Sequence, residues 1–529
     1  MCSRNMWVAL LYTIITLFVI RILYEARRDR SLPPGPRRLP LIGNLHQAPT
    51  HLPWLTYHKW FQQWGPIISL QLGGSTVVIL GSASVAHDLL NKRSGIYSDR
   101  PRLVMAGDCM TKGMHTLMRP YNDRYLLHQR MDAPVVSPRA AATYTPLQDL
   151  ESKQLLANFV RHAAERPGAP ADFGYAFELY SYSVSYMAGF GIRITSEDPQ
   201  HIADAKRVIE NMAYACQPGA WIVDALPFLN SLPRALAPWK KTADALFRVE
   251  STSHARNVGA GLKSKSWNWA RELRASKEAQ EMSDLEFAYN VGILVDAGLE
   301  TTSAVLEVFV LACLAQPRFV ELAQRELDEV VGRERLPGFA DRESLPYMRA
   351  CVEETLRWRH IAPGGIPHAT LEEDHYMGYR IPKGAVVLPV HWSMHLEEDV
   401  YSSPWSFQPE RWLGQPEGKS FGFGRRICAG RFVARNSLFI LIARLLWAFN
   451  IKHAVDRKTG RSIEVDDKAF GNAVISKPHQ FSAVFEPRTE RHREIVEEAW
   501  GKQEKDADVL LNGIRNHQIA IGLNIRSKT

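Results

Sequence analysis

The sequence predicts a mainly α-helical chain with small β-sheets, gathered into a single large domain behind an N-terminal membrane-spanning helix. Three observations predict this. Helical apolar periodicity runs from Tyr144 to Phe159, from Asp284 to Gln316 and from Arg431 to Phe449. Alternating β-branched residues are confined to short runs, of which Ile67 to Leu80, around the turn Gly73-Gly74, reads as a hairpin. An uncharged apolar run extends from Met6 to Ile20.

With 529 residues, 46% hydrophobic and 23% charged, the chain is long enough for one very large domain or several smaller ones, and nothing in it reads as a linker between globular halves. Its 6 cysteines include no Cys-x-x-Cys pair. That argues against a disulfide framework and a structural zinc site, and for a reducing, cytosol-facing environment. The net charge of +8 and pI near 9.1 would suit nucleic acid, an acidic membrane surface or an acidic protein partner. Because the basic residues are dispersed, without interleaved aromatics, nucleic acid is set aside.

In chain order, the first apolar run continues through Ile22, Leu23 and Tyr24 across Arg21, which defines an anchor over residues 6–24. No small-residue cleavage site follows, so a signal peptide is the poorer reading. Arg27, Arg28 and Arg30 outweigh Arg4, which leaves the body of the protein in the cytosol. Residues 31–40 are proline-rich and form a stiff, extended hinge. Residues 41–486 form the main domain. Within it, 200 to 247 is punctuated by Pro218, Pro227, Pro233 and Pro238; a mobile lid beside a membrane and a helix-loop-helix core element both account for that pattern. Residues 487–529 are a charged extension, expected as a surface helix and loose tail.

The chemistry is concentrated in Phe421 to Gly430. There Cys428 sits between glycines and arginines, directly before the helical pattern from Arg431. Backbone N–H groups, the positive end of the helix and the arginines favour a thiolate of lowered pKa. Such a sulfur can be a nucleophile, a redox sulfur or a metal ligand, and a buried free cysteine in a turn is the bland alternative. Gly424 and Gly430 allow something flat and large to approach the backbone, while Arg426 can reach an anionic group at its edge. Haem, with two propionates, fits that description. A phosphate loop at Gly414 to Ser420 fails because only three residues separate its glycines.

The pattern Phe421, Gly424, Arg426, Cys428, Gly430 resembles the haem-ligand loop of the cytochrome P450 family. Ala297-Gly298-Leu299-Glu300-Thr301 resembles that family's oxygen-binding segment, although Thr301 read alone is equally a core threonine bonding the preceding turn. Glu354, Arg357 and Arg411 resemble its buried ion-paired cluster, whose role is structural. His368 resembles a propionate contact, with a surface histidine as the alternative. One departure stands out: where the family carries Trp-Arg-x-x-Arg, this chain has Tyr125, Leu126 and Gln129, with Arg124 and Arg130 as neighbours on different helix faces. The likeness runs over roughly residues 30 to 486 and is strongest to fungal microsomal members of specialised-metabolite pathways.

The resemblance implies a haem-thiolate monooxygenase at the endoplasmic reticulum, with Cys428 as axial ligand and Glu300 and Thr301 handling protons. It implies an apolar small-molecule substrate beneath the loop Leu103 to Leu117, made adaptable by Met105, Met110 and Met114. The chain has no flavin or nicotinamide motif, so NADPH-cytochrome P450 reductase would supply electrons, with cytochrome b5 as a further donor. Their docking face would lie near Lys419, Arg425, Arg431 and Arg435. The alternatives are use of the same oxidant for desaturation or coupling, a reductase-independent isomerase, and a non-catalytic haem-binding protein.

Overall fold

The computed structural model describes Trp7, Thr13, Thr16 and residues 31–40, 42–217 and 219–527. The anchor expected over 6–24 lies outside the described residues, apart from those three isolated positions. The chain forms two compact units: a smaller one from residues up to Pro101 with Gly364–Met394 and Phe423–Arg426, and a larger one from the remainder. A single domain was expected. The smaller unit is assembled from separate stretches of chain, so no linker or change of composition announces it.

In the smaller unit, helix α1 (Pro53–Trp64) opens on a proline, where a missing N–H has no partner to lose. The expected hairpin is β1 (Ile67–Leu72) and β2 (Ser75–Leu80), with Leu72 opposite Ser75 and Gly73 at φ +59°. Later strands are β3 (His368–Ala369), β4 (Asp374–Tyr376), β5 (Tyr379–Ile381) and β6 (Val386–Pro389). One sheet has the order β1-β2-β6-β3, with β2 and β6 parallel. Ile67, Val78, Leu80 and Val387 pack with Leu89 and Tyr97 beneath it. β4 and β5 pair separately.

The larger unit contains α2 (Asp123–Val136), α3 (Thr145–Glu165), α4 (Phe173–Phe190), α5 (Pro199–Ala215), α6 (Pro238–Lys263), α7 (Asp284–Ala315), α8 (Arg318–Val330), α9 (Pro346–Trp358) and α10 (Arg431–Ala448). The hairpin β7 (Phe449–His453) and β8 (Ala483–Pro487) follows, then α11 (Glu490–Gly501) and α12 (Ala507–Ala520). α7 begins where the Ser283 hydroxyl accepts the Glu286 N–H at 3.2 Å. Among the described residues it is the helix long and apolar enough to cross a membrane by length and composition, and most of its side chains are buried within the unit, as in a core helix.

Glycines let neighbouring helices approach α7 closely. A Cβ at Gly189 of α4 would lie 2.2 Å from Val295, one at Gly298 2.5 Å from Ser185 Oγ, and one at Gly292 2.4 Å from the His254 ring. Gly298 therefore accommodates α4 rather than loosening its own helix for an inserted group.

Two expectations change. Met105 and Met110 are wholly buried beside Val223, Trp239 and Ala243, so they are packed core and not an adaptable pocket lining. The C-terminal extension is not a loose tail: Leu511 and Ile514 are buried, and the Glu272 carboxylate accepts the backbone N–H groups of Arg526 at 2.7 Å and Ser527 at 3.1 Å. Pro218 lies outside the described residues; Pro227 and Pro233 each stand at the start of a short 3-10 turn, Pro238 opens α6, and Ile222, Leu226, Phe228 and Leu236 before it are exposed.

Asp132, buried on α2, accepts from Asn290 Nδ2 at 2.5 Å, and burial pushes its carboxyl up to about 8. A group raised in the folded state adds stability that is complete below its unfolded pKa of about 4 and is lost as the pH climbs through about 8. Asp132→Asn is expected to flatten the fall in thermal midpoint between pH 5 and pH 8. Parallel profiles for the two proteins would contradict this assignment.

Candidate active site

The cysteine loop closes on itself: the Cys428 N–H donates to the Phe421 carbonyl at 2.9 Å, and Arg431 Nη1 donates to the Cys428 carbonyl at 2.9 Å. Gly430 caps α10. A Cβ there would meet only the Cys428 sulfur, at 4.0 Å, so the loop keeps open space beside the thiol. Cys428 is exposed, whereas Cys109, Cys313 and Cys351 are buried and Cys216 is half-buried. Phe421 packs under the Arg435 guanidinium, 4.8 Å from its ring centre.

The thiol pKa differs from expectation. Burial deep among protein atoms pushes it up, and the N–H groups of Gly430 and Arg431 with the charges of Arg431 and Arg435 pull it down without prevailing. The exposed surface of the residue governs what can reach it; the depth of the thiol governs the cost of charging it. A bound cation, which deprotonates a coordinating thiol outright, is what this loop requires to hold a thiolate.

Within the smaller unit, three basic side chains converge. Gly424 stands at φ +58°, where a Cβ would lie 2.0 Å from the Leu90 carbonyl, so only glycine allows this close approach. Arg426 Nε donates to the Ser98 carbonyl at 2.8 Å, and Arg100 Nη1 to the Pro367 carbonyl at 2.5 Å. His368 Nδ1 donates to the Tyr97 carbonyl at 2.8 Å. Burial first, then the charges of Arg100 and Arg426, lowers the His368 pKa to about 3, so its ring is neutral. His368 is buried, not at the surface. Arg100 escaped the sequence reading; its one signal is the place it takes before Pro101, where a proline favours an extended backbone.

On α7, Ile293, Ala297 and Thr301 recur at intervals of four and share one face, and all three keep open surface on a largely buried helix. Thr301 Oγ1 donates to the Ala297 carbonyl at 3.0 Å, so its lone pairs are free to accept. Glu300 points elsewhere: its carboxylate meets Lys477 Nζ at 3.0 Å.

Glu354 and Arg357 are fully enclosed. Arg357 Nε and Nη2 each reach a Glu354 oxygen at 2.7 Å, and its remaining donors take the carbonyls of His395, Pro404 and Ser406. Arg411 Nε donates to Glu354 Oε1 at 3.1 Å, and Trp412 Nε1 to Oε2 at 2.9 Å. The adjacent Glu353, unnoticed in the sequence, binds Arg435 Nε at 2.9 Å. Arg435 is therefore buried and paired, not part of a docking face.

At the departure on α2, Tyr125 is buried and its hydroxyl accepts from Gln129 Nε2 at 2.5 Å. Arg124 cannot substitute for the replaced arginines. With Arg119 and His128 it binds Glu286, at 2.9 Å through Nε, and although burial acts to raise that carboxyl, these partners hold it well below the usual range. Arg130 is exposed.

Residues 33–480 match the family model described as Cytochrome P450. The chain belongs to the cytochrome P450 family. It is 38% identical over 488 residues to the cytochrome P450 monooxygenase aneD of Aspergillus aculeatus, covering 92% of this chain and 93% of that one. It is 39% identical over 508 residues to the monooxygenase astF of Aspergillus oryzae, covering 95% and 94%. The Echilunin cytochrome P450 monooxygenase of Aspergillus ruber is 36% identical over 525 residues, covering 98% and 95%. A solved zebra fish cytochrome P450, with abiraterone, superposes with a TM-score of 0.68 over 83% of this chain and 100% of that chain; at 21% identity this likeness concerns the fold alone.

This chain is thus a cytochrome P450 monooxygenase with the family's mainly helical fold and small sheets. Membership implies a haem held through a thiolate, a redox partner and a small-molecule substrate. The residues present fit that cofactor. In the larger unit a soft sulfur donor on an exposed residue lies beside a glycine that leaves space, and in the smaller unit buried Arg100 and half-buried Arg426 are cations of the kind that suit carboxylates.

Removing one partner of a buried ion pair costs about 3–5 kcal/mol. Arg357→Met is expected to lower the unfolding free energy by that order, read as a fall in the urea midpoint, whereas Arg411→Met, with one bond to Glu354, lowers it less. Equal midpoints for Arg357→Met and the unmodified protein would show that the cluster does not hold this region.

Proposed function

We propose that this P450 transfers one oxygen atom from dioxygen to an apolar small molecule in a fungal specialised-metabolite pathway, using NADPH electrons from a flavoprotein reductase. The observation that carries the proposal is the open thiol of Cys428 in its glycine loop, in a chain whose other described cysteines are buried or half-buried. The fungal monooxygenases that match along nearly the whole chain support the pathway class. Residues 31–40 as hinge, 41–486 as catalytic domain and 487–529 as extension complete this reading, with residues 6–24 as the anchor to the endoplasmic reticulum.

Cys428 is the residue that would hold the haem iron, through its sulfur. Haem ligated by a thiolate supplies dioxygen activation when bound. Arg426 and Arg100, with neutral His368, would hold the cofactor's carboxylates; Tyr125 and Gln129 would offer polar groups without charge where arginines are usual. The shared face of Ile293 and Ala297 receives the apolar substrate. Thr301 Oγ1 accepts a hydrogen bond on that face, and Glu300 passes protons in from solvent. Lys419 and Arg425, both exposed, and half-buried Arg431 give the reductase, and cytochrome b5, a cationic face, from which Arg435 is excluded.

The reading is tested by incubating reductase-reconstituted enzyme with extracts of a host lacking it and following masses. A product one oxygen heavier than its precursor supports oxygen transfer; loss of two hydrogens instead assigns desaturation or coupling. Thr301→Ala is expected to reduce product per NADPH severalfold and release peroxide, and unchanged coupling would remove Thr301 from the proton path.

A further inference from the structure

The seam between the C-terminal extension and the body of the larger unit encloses a cavity of about 120 Å³. On the body side its walls are Pro134 and Val135, near the end of α2, and Trp267. On the other side they are Gln518 of α12, with Leu523 and Ile525 beyond that helix. These last residues form an arch that is fastened at both ends. Arg139 Nη2 donates to the Ile521 carbonyl. Gly522, at φ +72°, then turns the chain so that the Leu523 N–H reaches back to the Gln518 carbonyl at 2.9 Å, as at many helix ends. At the far end Glu272 accepts the N–H groups of Arg526 and Ser527 and, at 2.9 Å, the Ser527 hydroxyl.

Two polar atoms of this lining have no partner among the described residues, and they are complementary. Trp267 Nε1 is a donor and Gln518 Oε1 an acceptor, on residues 1% and 2% exposed. Thr143 fixes the orientation of the amide. It gives its hydroxyl proton to the Ala140 carbonyl at 2.6 Å, so its oxygen accepts from Gln518 Nε2 at 2.9 Å and the amide oxygen is the atom left over. The nearby Trp269 differs from Trp267, because its Nε1 donates to the Tyr144 hydroxyl at 3.1 Å. Unpaired polar atoms away from water are unfavourable, and one hydroxyl group, which accepts and donates at once, satisfies both.

Size and lining distinguish the two sources of such a hydroxyl. A water molecule takes about 30 Å³ in the liquid and about three hydrogen bonds when buried, so about four waters would fill this space with too few partners. Pro134, Val135, Leu523 and Ile525 offer apolar side chains, and the Glu272 oxygens are already occupied. An apolar cavity of roughly 150 Å³ accepts a benzene ring. We propose that the seam is a binding site for a small neutral molecule with one hydroxyl on an apolar body, of the phenol or short-alcohol class. The hydroxyl accepts from Trp267 Nε1 and donates to Gln518 Oε1, and the apolar part packs on Pro134, Val135, Leu523 and Ile525. Because one wall belongs to the body and the other to the extension, the ligand fastens residues 521–527 to the end of α2. By mass action the seam opens less often when it is occupied.

Phenol is the probe, with toluene as a body of similar size that lacks the hydroxyl. Hydrogen exchange of the haem-loaded, full-length protein is followed in the segment covering residues 521–527, where the Arg526 and Ser527 N–H groups report on the arch. Phenol is expected to slow exchange there severalfold, at a half-effect concentration about tenfold below that of toluene. Trp267→Phe removes the donor but keeps a ring, and is expected to raise the half-effect concentration of phenol about tenfold. Gln518→Met removes the acceptor from the other wall and is expected to act in the same direction, so the test stands if one variant folds poorly. Exchange that phenol leaves unchanged in the unmodified protein shows that water alone fills the cavity, and overturns the proposal. Equal responses to phenol and toluene, or an unmoved half-effect concentration in the folded variants, overturn it as well, since no hydroxyl is then recognised.

Discussion

The buried pair of Glu354 and Arg357 is the constraint on which the larger unit most depends. Residues 395–422 contain no helix longer than a single turn and no strand, so their carbonyls lack the partners that regular structure supplies. Arg357 spends all five of its N–H donors on two Glu354 oxygens and three of those carbonyls. Such a network is stable only when every member is satisfied, and here Arg411, Trp412 and the Gln408 N–H complete the Glu354 side. Glu353 repeats the device one residue earlier, binding Arg435 and the Gly418 N–H. Two adjacent carboxylates on α9 thus anchor the irregular run that leads to the cysteine loop.

A second constraint is the closeness of the helices around α7. Gly189, Gly292 and Gly298 remove side chains where Val295, His254 and Ser185 press in, which leaves Ile293, Ala297 and Thr301 to form the open face. Glu300 follows Ile293 by seven residues on this helix, and its carboxylate meets Lys477 Nζ at 3.0 Å.

Much of this was legible in the sequence because it is local. The β1–β2 hairpin, α7 and α10 begin or end within a residue of the periodicity that predicts them, and the cysteine motif and the Glu354–Arg357 spacing are short-range patterns. What escaped depends on distant partners. Arg435 reads as a surface cation until Glu353, on another helix, is known to face it. Met105 and Met110 read as loop residues until Trp239 and Val223 cover them. Lys477 sits in an unremarkable stretch, and only the tertiary fold brings it to Glu300. The thiol was expected to be acidified by its helix and arginines; burial outweighs both, and depth is invisible in a local motif.

The central claim is that Cys428 is the sulfur ligand of the haem. Its most direct test is the carbon monoxide difference spectrum of the reduced, haem-loaded full-length protein beside Cys428→Ser. The account predicts a thiolate-type spectrum in the unmodified protein that is absent from Cys428→Ser, even where that variant still holds haem. A thiolate-type spectrum retained by Cys428→Ser would contradict it.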